Sequence, residues 1–480
     1  MPRRTKIVAT LGPATDTAAA LESILRAGVD VARINFSHGS ADGHLDRIAK
    51  FRAAADRVGK VAAVMADLPG PKLRAKILEP RSLVVGDTLT FSLSSEAVDP
   101  RDVVITEPEV LAGVRPGHRV LLDDGRLQLI ALDTADGRLS ARVLVGGTLS
   151  PNKGINLPDT PLSIPTCTER DRAALEIAAK AGVDWVAVSF VRGPDAAAEV
   201  RAAMADVGMN VPILAKIERP EAVDRAAAII HVFDGIMVAR GDLGVEIPLE
   251  RVPTVQKQLI AAARAVGKPV ITATDMLDSM QKNLRPTRAE ASDVANAIFD
   301  GTDAVMLSGE TAVGLYPVES VACMSRIAEE TESHLEQTGR VAALPEFLTP
   351  SRPIDDPLAQ AACDLASEIG AAAIITPTLS GRTAGLLARY RPWARVVAPA
   401  PTAPVLRRMT MVWGIRPVPM QPLNPGDDRM LAAVRDAFAA GAVANGDRVV
   451  VLAGHPIEGG PRFPTVRVVR VGESGASQEP

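Results

Sequence analysis

Pro212-Ile-Leu-Ala-Lys-Ile-Glu-Arg-Pro220 is the stretch from which the fold is read. It opens as a short apolar run, carries Lys216, Glu218 and Arg219 near its end, and stops on a proline. Successive side chains of a strand point to opposite faces, so Lys216 and Glu218 share one face while Ile217 packs on the other. A lysine and a glutamate facing inward at the end of a buried strand are costly unless a ligand or metal uses them. An isolated Lys-x-Glu would read as a structural ion pair. Whether other strands end the same way decides between the two.

Upstream, the runs Lys6–Gly12, Val31–Ser37 and Val61–Asp67 alternate with Ala- and Leu-rich helical text, as expected of a parallel sheet wrapped by helices. The rhythm breaks between Leu73 and Gly154, where turn signals such as Val85-Gly-Asp87, Asp123-Asp-Gly125 and Ala135-Asp-Gly137 predict an inserted antiparallel β domain. It returns with Asp184–Phe190, the opening stretch, Gly235–Asp242, Pro269–Thr274 and Ala304–Glu310. Three strands before the insertion and five after predict an eight-stranded (β/α)8 TIM barrel, and without the insertion the region approaches the ~250 residues usual for that fold. A proline-rich connector, Pro345 through Pro357, leads to runs at Ala373–Thr376, Arg395–Ala398, Arg448–Leu452 and Val466–Val469. These predict a separate open α/β sheet domain. The expected organisation is barrel 1–72, inserted domain 73–154, barrel 155–344 and C-terminal domain 345–480, with a disordered tail after Gly472.

Composition narrows the class. The 480 residues are 47% hydrophobic and 23% charged, ordinary for a globular protein too long for one core. A net charge of −4 and 3% aromatic residues leave no electrostatic or stacking footprint for nucleic acid, and none for an anionic membrane. No apolar run approaches a membrane span. Cys167, Cys323 and Cys363 are widely spaced and read as free core thiols, and the N-terminus shows no apolar signal region, so a cytoplasmic setting is expected.

In a β/α barrel the functional side chains sit at the C-terminal strand ends. The second strand ends with Arg33, Asn35 and Ser37 on one face, the third with Asp67 and the fifth with Lys216 and Glu218. The sixth ends with Gly241 and Asp242, and the seventh with Thr272 and Thr274. Glu218 and Asp242 are a hard-oxygen pair suited to Mg2+, with water and substrate oxygens completing the shell. Arg33 and Lys216 are cations that would flank a phosphoryl group, which together is equipment for phosphoryl transfer. A structural ion-pair cluster is the competing reading. No Walker-type glycine loop is present.

These residues resemble a known family. Arg33-Ile-Asn-Phe-Ser-His-Gly39, Met237-Val-Ala-Arg-Gly-Asp-Leu-Gly-Val-Glu-Ile-Pro248, Arg285-Pro-Thr-Arg-Ala-Glu290 and Met306-Leu-Ser-Gly-Glu-Thr-Ala312 are similar to pyruvate kinase motifs, in a likeness running from Thr5 to about Val471. Within the insertion, Leu121–Gly125 and Lys153–Pro158 share it. The resemblance implies phosphoryl transfer from phosphoenolpyruvate to ADP, then protonation of the enolate. It implies Lys216 along the transferring phosphoryl, Arg33 on phosphate, Glu218 and Asp242 on Mg2+ (or Mn2+), Gly241 and Asp242 by the substrate carboxylate, and Thr274 in the proton relay. Asn35, His38, Arg74 and Lys153 match nucleotide-side positions, the inserted domain a lid, and the assembly a homotetramer.

The chain departs from that pattern in places. The resemblance implies a K+ site at Asn35, Ser37 and Asp67, yet Leu68 stands where a threonine is usual and Lys72 where a glutamate is. A lysine ammonium there would fill the charge role of K+, so K+ independence is expected; a merely solvated Lys72 is the alternative. Asp275 replaces a common glutamine without a physical account. Thr376-Pro-Thr-Leu-Ser-Gly-Arg-Thr383 reads either as a phosphate nest for a phosphorylated effector, through Ser380, Arg382 and Thr383, or as a capped turn. The later loop Gly454–Arg462 names no effector. An enolate lyase or aldolase on the same barrel, and an inactive metabolite sensor, are the other readings.

Overall fold

The computed structural model describes residues 3–96, 99, 101–339, 354–422, 428–453 and 465–478; the loop Gly454–Arg462 and positions 345–353 of the connector lie outside them. Eight parallel strands close a barrel: β1 (Lys6–Thr10), β2 (Val31–Asn35), β3 (Ala63–Asp67), β4 (Trp185–Val188), β5 (Ile213–Ile217), β6 (Gly235–Ala239), β7 (Val270–Ala273) and β8 (Ala304–Leu307). Each pairs with its sequence neighbours, and β8 returns to β1. The helices between them have legible ends. Thr168 with Asp171, and Thr287 with Glu290, form reciprocal caps at helix starts, and Gly182 and Gly301 end the same helices in the left-handed region, at φ 61° and 93°.

Alternation along the strands sorts their side chains. Val8, Val31, Met65, Ala187, Leu214, Met237, Ile271, Ala273 and Met306 pack together inside the barrel. Ile7, Ala32, Val64, Val186, Ala215, Ile217, Val238 and Val305 pack outward under the helices. Because Leu214 faces inward, Lys216 two residues later does too, as the opening stretch predicts.

The insertion has its own core and a five-stranded antiparallel sheet in the order Ile155–Asn156, Arg119–Leu122, Leu127–Ala135, Arg138–Val145, Thr88–Ser92. Its longest hairpin turns at Asp136 and Gly137, both left-handed at φ 51° and 71°, as an Asp-Gly turn requires. The C-terminal sheet has six strands, in the order Ile415–Pro419, Arg395–Ala400, Ala373–Ile375, Arg448–Ala453, Thr465–Val471, Ser477–Gln478. Two features differ from expectation. Ile415–Pro419 is a strand that its prolines hide from sequence patterning, and it lies at the sheet edge, where missing N–H groups are tolerated. The stretch after Gly472 is ordered through Gln478, because Ser477–Gln478 pairs back on Arg470–Val471.

This domain closes the barrel's N-terminal end. Met411 joins the interior cluster, Arg407 Nε lies 2.8 Å from Asp184 just before β4, and Arg391 Nη1 lies 3.1 Å from Asp303 just before β8. The three cysteines are buried and free, and burial pushes the Cys363 thiol up to about 12. Among the described residues no helix is long and apolar enough to cross a membrane.

Arg219, the last charged residue of the opening stretch, is 2% exposed and braces the insertion to the barrel. It donates to Glu246 (3.3 Å), Glu221 (3.0 Å) and the Leu157 carbonyl (3.3 Å), while Asn156 donates to the same Glu246 at 2.7 Å. Arg219→Met strands the buried Glu246 carboxylate and is expected to cost about 3–5 kcal/mol. Hydrogen exchange should show early loss of protection at Leu121–Leu122 and Ile155–Asn156; wild-type protection there would remove the brace from the account.

Candidate functional site

The inward faces of β2 to β5 end in one linked group of charges. Arg33 Nε donates to Asp67 Oδ2 at 2.6 Å, and its Nη1 to Thr10 Oγ1 at 3.0 Å. Lys216 Nζ lies 3.3 Å from Asp67 Oδ1, 2.8 Å from Glu218 Oε1, and donates to Ser189 Oγ at 2.7 Å. Ser189 in turn donates to the Leu68 carbonyl. Asp67 and Glu218 are each 1% exposed. Cation and anion thus alternate across three strand ends: Arg33 on β2, Asp67 on β3, and Lys216 and Glu218 at the end of β5.

Burial sets the electrostatics. It opposes the Lys216 ammonium, but Asp67 and Glu218 overcome it and hold the group charged, above the ordinary lysine value. Burial raises the Asp67 carboxyl, and Lys216 and Arg33 reverse the effect to leave it below its usual value. Glu218 goes the other way: burial raises it, and Asp242 nearby adds to the rise despite Lys216.

Glu218 Oε2 accepts the Phe190 N–H at 2.7 Å, which Phe190 can offer because its backbone turns left-handed (φ 55°) where β4 ends. Glu218 Oε1 is buried, and makes an ion pair with Lys216 but no aligned hydrogen bond. A buried carboxylate oxygen met by the Lys216 ammonium and lying near the Asp242 carboxylate suits a divalent cation. Among the described residues no group of three or more His, Cys, Asp and Glu gathers around an ion, so Glu218 and Asp242 would leave most positions to other oxygens. That is magnesium's habit.

Strand seven corrects one expectation. Thr272 does not face the mouth: Ile271 and Ala273 point inward, so Thr272 points out and bonds Thr302 Oγ1 at 3.0 Å. Thr274 reaches the mouth only because it and Asp275 turn left-handed (φ 68° and 55°), which breaks the alternation. Its Oγ1 then accepts the Gly241 N–H at 2.9 Å. Arg240 holds this break, donating to the carbonyls of Ala273 (3.1 Å) and Thr274 (2.6 Å) and to Asp293 (2.7 Å). Nothing in the structure assigns a part to the Asp275 side chain.

The remaining candidates lie around this centre or away from it. Lys72 Nζ is 3.6 Å from Asp124 of the insertion and 3.7 Å from Asp242 of the barrel. Its ammonium therefore faces the metal-side carboxylate, whereas Asp67 is paired with Arg33 and Lys216. Leu68 is buried at 2% exposure, and Asn35 Oδ1 accepts the Ser37 N–H. Lys153 Nζ pairs with Asp123 at 2.7 Å and Arg74 donates to the Asn152 carbonyl at 3.0 Å, both at the root of the insertion; His38 is exposed. Ser380, Arg382 and Thr383 open the helix Arg382–Arg389 in the C-terminal domain, far from the mouth in topology. Sequence reasoning missed Thr10, Ser189 and Arg240. The first two follow the same i, i+2 rule from Val8 and Ala187; nothing local announces Arg240, whose targets are backbone carbonyls on another strand.

Known proteins share this arrangement of domains. The family model "Pyruvate kinase, barrel domain" matches residues 2–321, and "Pyruvate kinase, alpha/beta domain" matches residues 356–469. A pyruvate kinase of Geobacillus stearothermophilus is 44% identical over 462 residues, 95% of this chain and 78% of that protein. One of Methylorubrum extorquens is 43% identical over 456 residues, 95% of this chain and 94% of the relative. Pyruvate kinase 2 of a Synechocystis species is 42% identical, again over 95% of the chain.

Because the folded-state pKa of Asp67 is depressed, its ion pairs add stability that is present above the unfolded value near 3.8 and is lost as pH falls through the folded one. Asp67→Asn should therefore cost about 3–5 kcal/mol at neutral pH, and the deficit should narrow below about pH 4. Urea unfolding of both proteins across that range measures it; a deficit independent of pH would contradict the assignment.

Proposed function

The chain belongs to the pyruvate kinase family and is a phosphotransferase, and from that premise we propose that it moves the phosphoryl group of phosphoenolpyruvate to ADP with Mg2+ and protonates the resulting enolate to pyruvate. The observation that carries this reading is the alternating chain Arg33, Asp67, Lys216, Glu218 at one barrel mouth. It sets two cations side by side with buried carboxylates, as a transferring phosphoryl group demands.

Lys216 neutralises the charge that develops on the moving phosphoryl. Arg33, with Nε and Nη1 engaged, keeps Nη2 for phosphate. Glu218 and Asp242 would hold the Mg2+, which when bound acts as a Lewis acid toward substrate oxygens. Mn2+ would serve in the same place. Gly241 N–H, which donates to Thr274 Oγ1, is the donor for the substrate carboxylate, with Asp242 alongside. Substrate taking that N–H frees the Thr274 hydroxyl for the water relay that protonates the methylene carbon. A side chain at Gly241 would put Cβ 3.1 Å from Thr274 Cγ2, crowding this exchange. Arg74, Lys153, Asn35 and His38 form the ADP side with its own Mg2+, and the insertion closes over the mouth to exclude water.

Lys72 supplies the monovalent charge in this reading, beside Asp242 and at the root of the lid, so that K+ is not required. Regulation would act through a phosphorylated effector at Ser380, Arg382 and Thr383, in a homotetramer.

Lys216→Met should lower turnover of phosphoenolpyruvate and ADP by on the order of 10^3 or more in a coupled pyruvate assay, with substrate binding largely kept. A near-normal rate would remove Lys216 from the chemistry, and a wild type without turnover would favour a sensor or lyase. In buffer free of Na+ and K+ the wild type should run at full rate with Mg2+ alone, whereas Lys72→Glu should become K+-activated. Strong K+ activation of the wild type would defeat the role given to Lys72.

A further inference from the structure

The loop that leaves β2 is wrapped around a buried histidine. Between Asn35 and the helix Ala41–Val58 the chain runs Phe36-Ser-His-Gly-Ser40. Its first half is tied to the barrel: the Phe36 N–H donates to the Asp67 carbonyl at 3.0 Å, and the Ser37 N–H to Asn35 Oδ1 at 3.1 Å. Its second half, His38 to Ser40, is exposed and rests on His44, in the first turn of the helix. Ser40 starts that turn, its Oγ accepting the Gly43 N–H at 3.3 Å and its carbonyl the His44 N–H at 3.0 Å.

His44 is 3% exposed, and three contacts fix its ring. Phe36 lies against it, with ring centroids 4.4 Å apart and the planes tilted by 36°. A hydrogen bond joins it to the His38 backbone. Gly39 sits over it at φ 98°, so close that a Cβ there would come to 3.0 Å from Cε1 and 3.3 Å from Nε2. Yet Nδ1 is buried without a partner. Burial pushes the imidazole down and the like charge of Arg47 adds to this, while the bond to His38 opposes them, so the ring is uncharged at neutral pH. A residue wanted only for bulk would not keep a ring nitrogen buried and unsatisfied, because an apolar side chain of similar shape carries no such cost. What the imidazole adds is a flat ring with a hydrogen bond to one peptide of the loop.

We propose that His44 is a positioning residue for the nucleotide: wedged between Phe36, the His38 backbone and Gly39, its ring sets where the His38 side chain stands beside the barrel mouth. The inference rests on the reading that puts Asn35 and His38 on the ADP side. It goes beyond that reading because His44 is buried and acts only through the loop. The effect is confined to ADP. Arg33 is held independently by Asp67 and Thr10, and the start of the loop by the Asp67 carbonyl.

The test is steady-state kinetics of the full chain, with ADP and phosphoenolpyruvate varied in turn. It compares the wild type with His44→Phe, His44→Gln, Gly39→Ala and His38→Ala. His44→Phe keeps the stack on Phe36 but loses the bond to the His38 backbone. It should raise the KM for ADP about tenfold while kcat and the KM for phosphoenolpyruvate stay within about twofold, as loss of positioning for one substrate predicts. His44→Gln, which retains a hydrogen-bonding group, should recover most of the ADP affinity. Gly39→Ala presses on the ring from the other side and should show the same selective rise, which keeps the test decisive if His44→Phe does not fold. His38→Ala reports on the underlying reading and should also raise the KM for ADP. An unchanged KM for ADP in His44→Phe and Gly39→Ala, with that of His38→Ala raised, overturns the proposal alone. So does a loss shared equally by ADP, phosphoenolpyruvate and kcat, the mark of a merely structural histidine. An unchanged KM for ADP in His38→Ala overturns the nucleotide reading and the proposal with it.

Discussion

A lysine and a glutamate two residues apart on one buried strand face stay charged only if their neighbours carry compensating charge. Here Asp67 answers Lys216 and Arg33 answers Asp67, so that the two inner ions, Asp67 and Lys216, have partners on both sides. Glu218 ends the chain, with Oε1 on Lys216, Oε2 on the Phe190 N–H and a raised pKa. The barrel makes this possible. Parallel strands in register bring Asn35 opposite Asp67 and Ala187 opposite Asp67, so residues remote in sequence finish at one level. An open sheet of the same strands would leave the outer ends of the series in water and lose the dielectric that makes the charges act strongly.

Around this centre, buried arginines act as braces. Arg219 gathers Glu246, Glu221 and the Leu157 carbonyl, and so fixes the returning strand of the insertion against the barrel. Arg240 gathers the carbonyls at the end of β7 and holds a backbone conformation that a threonine adopts only under constraint. Both save the site from relying on loop conformation alone. Their charge is consumed locally, whereas Arg33 has Nε and Nη1 engaged and, among the described residues, no partner at Nη2.

The two ends of the barrel divide the work. Strand ends carry the charged mouth, and strand starts meet the C-terminal domain through Asp184, Asp303 and the inserted Met411. Packing at the base is therefore continuous with packing in the barrel interior.

Much of this was legible in the chain. Apolar runs of strand length, separated by helical text, counted out the eight barrel strands, and the i, i+2 rule placed Arg33, Asp67, Lys216 and Glu218 on inward faces without a coordinate. The same rule failed at Thr274, which reaches the mouth although Thr272 points out, because the left-handed turn there resets which face a side chain takes, and φ is not written in side-chain type when the residue is not glycine. It failed to find Ile415–Pro419, where prolines mask an edge strand, and the ordered Ser477–Gln478, whose stability comes from pairing with a distant segment. Local pattern determined the strands, their faces and the identity of the charged groups, because alternation is a property of neighbouring residues. Which charges meet, and which arginine braces which carbonyl, were decided only when the barrel closed, since those depend on distances between residues far apart in the chain.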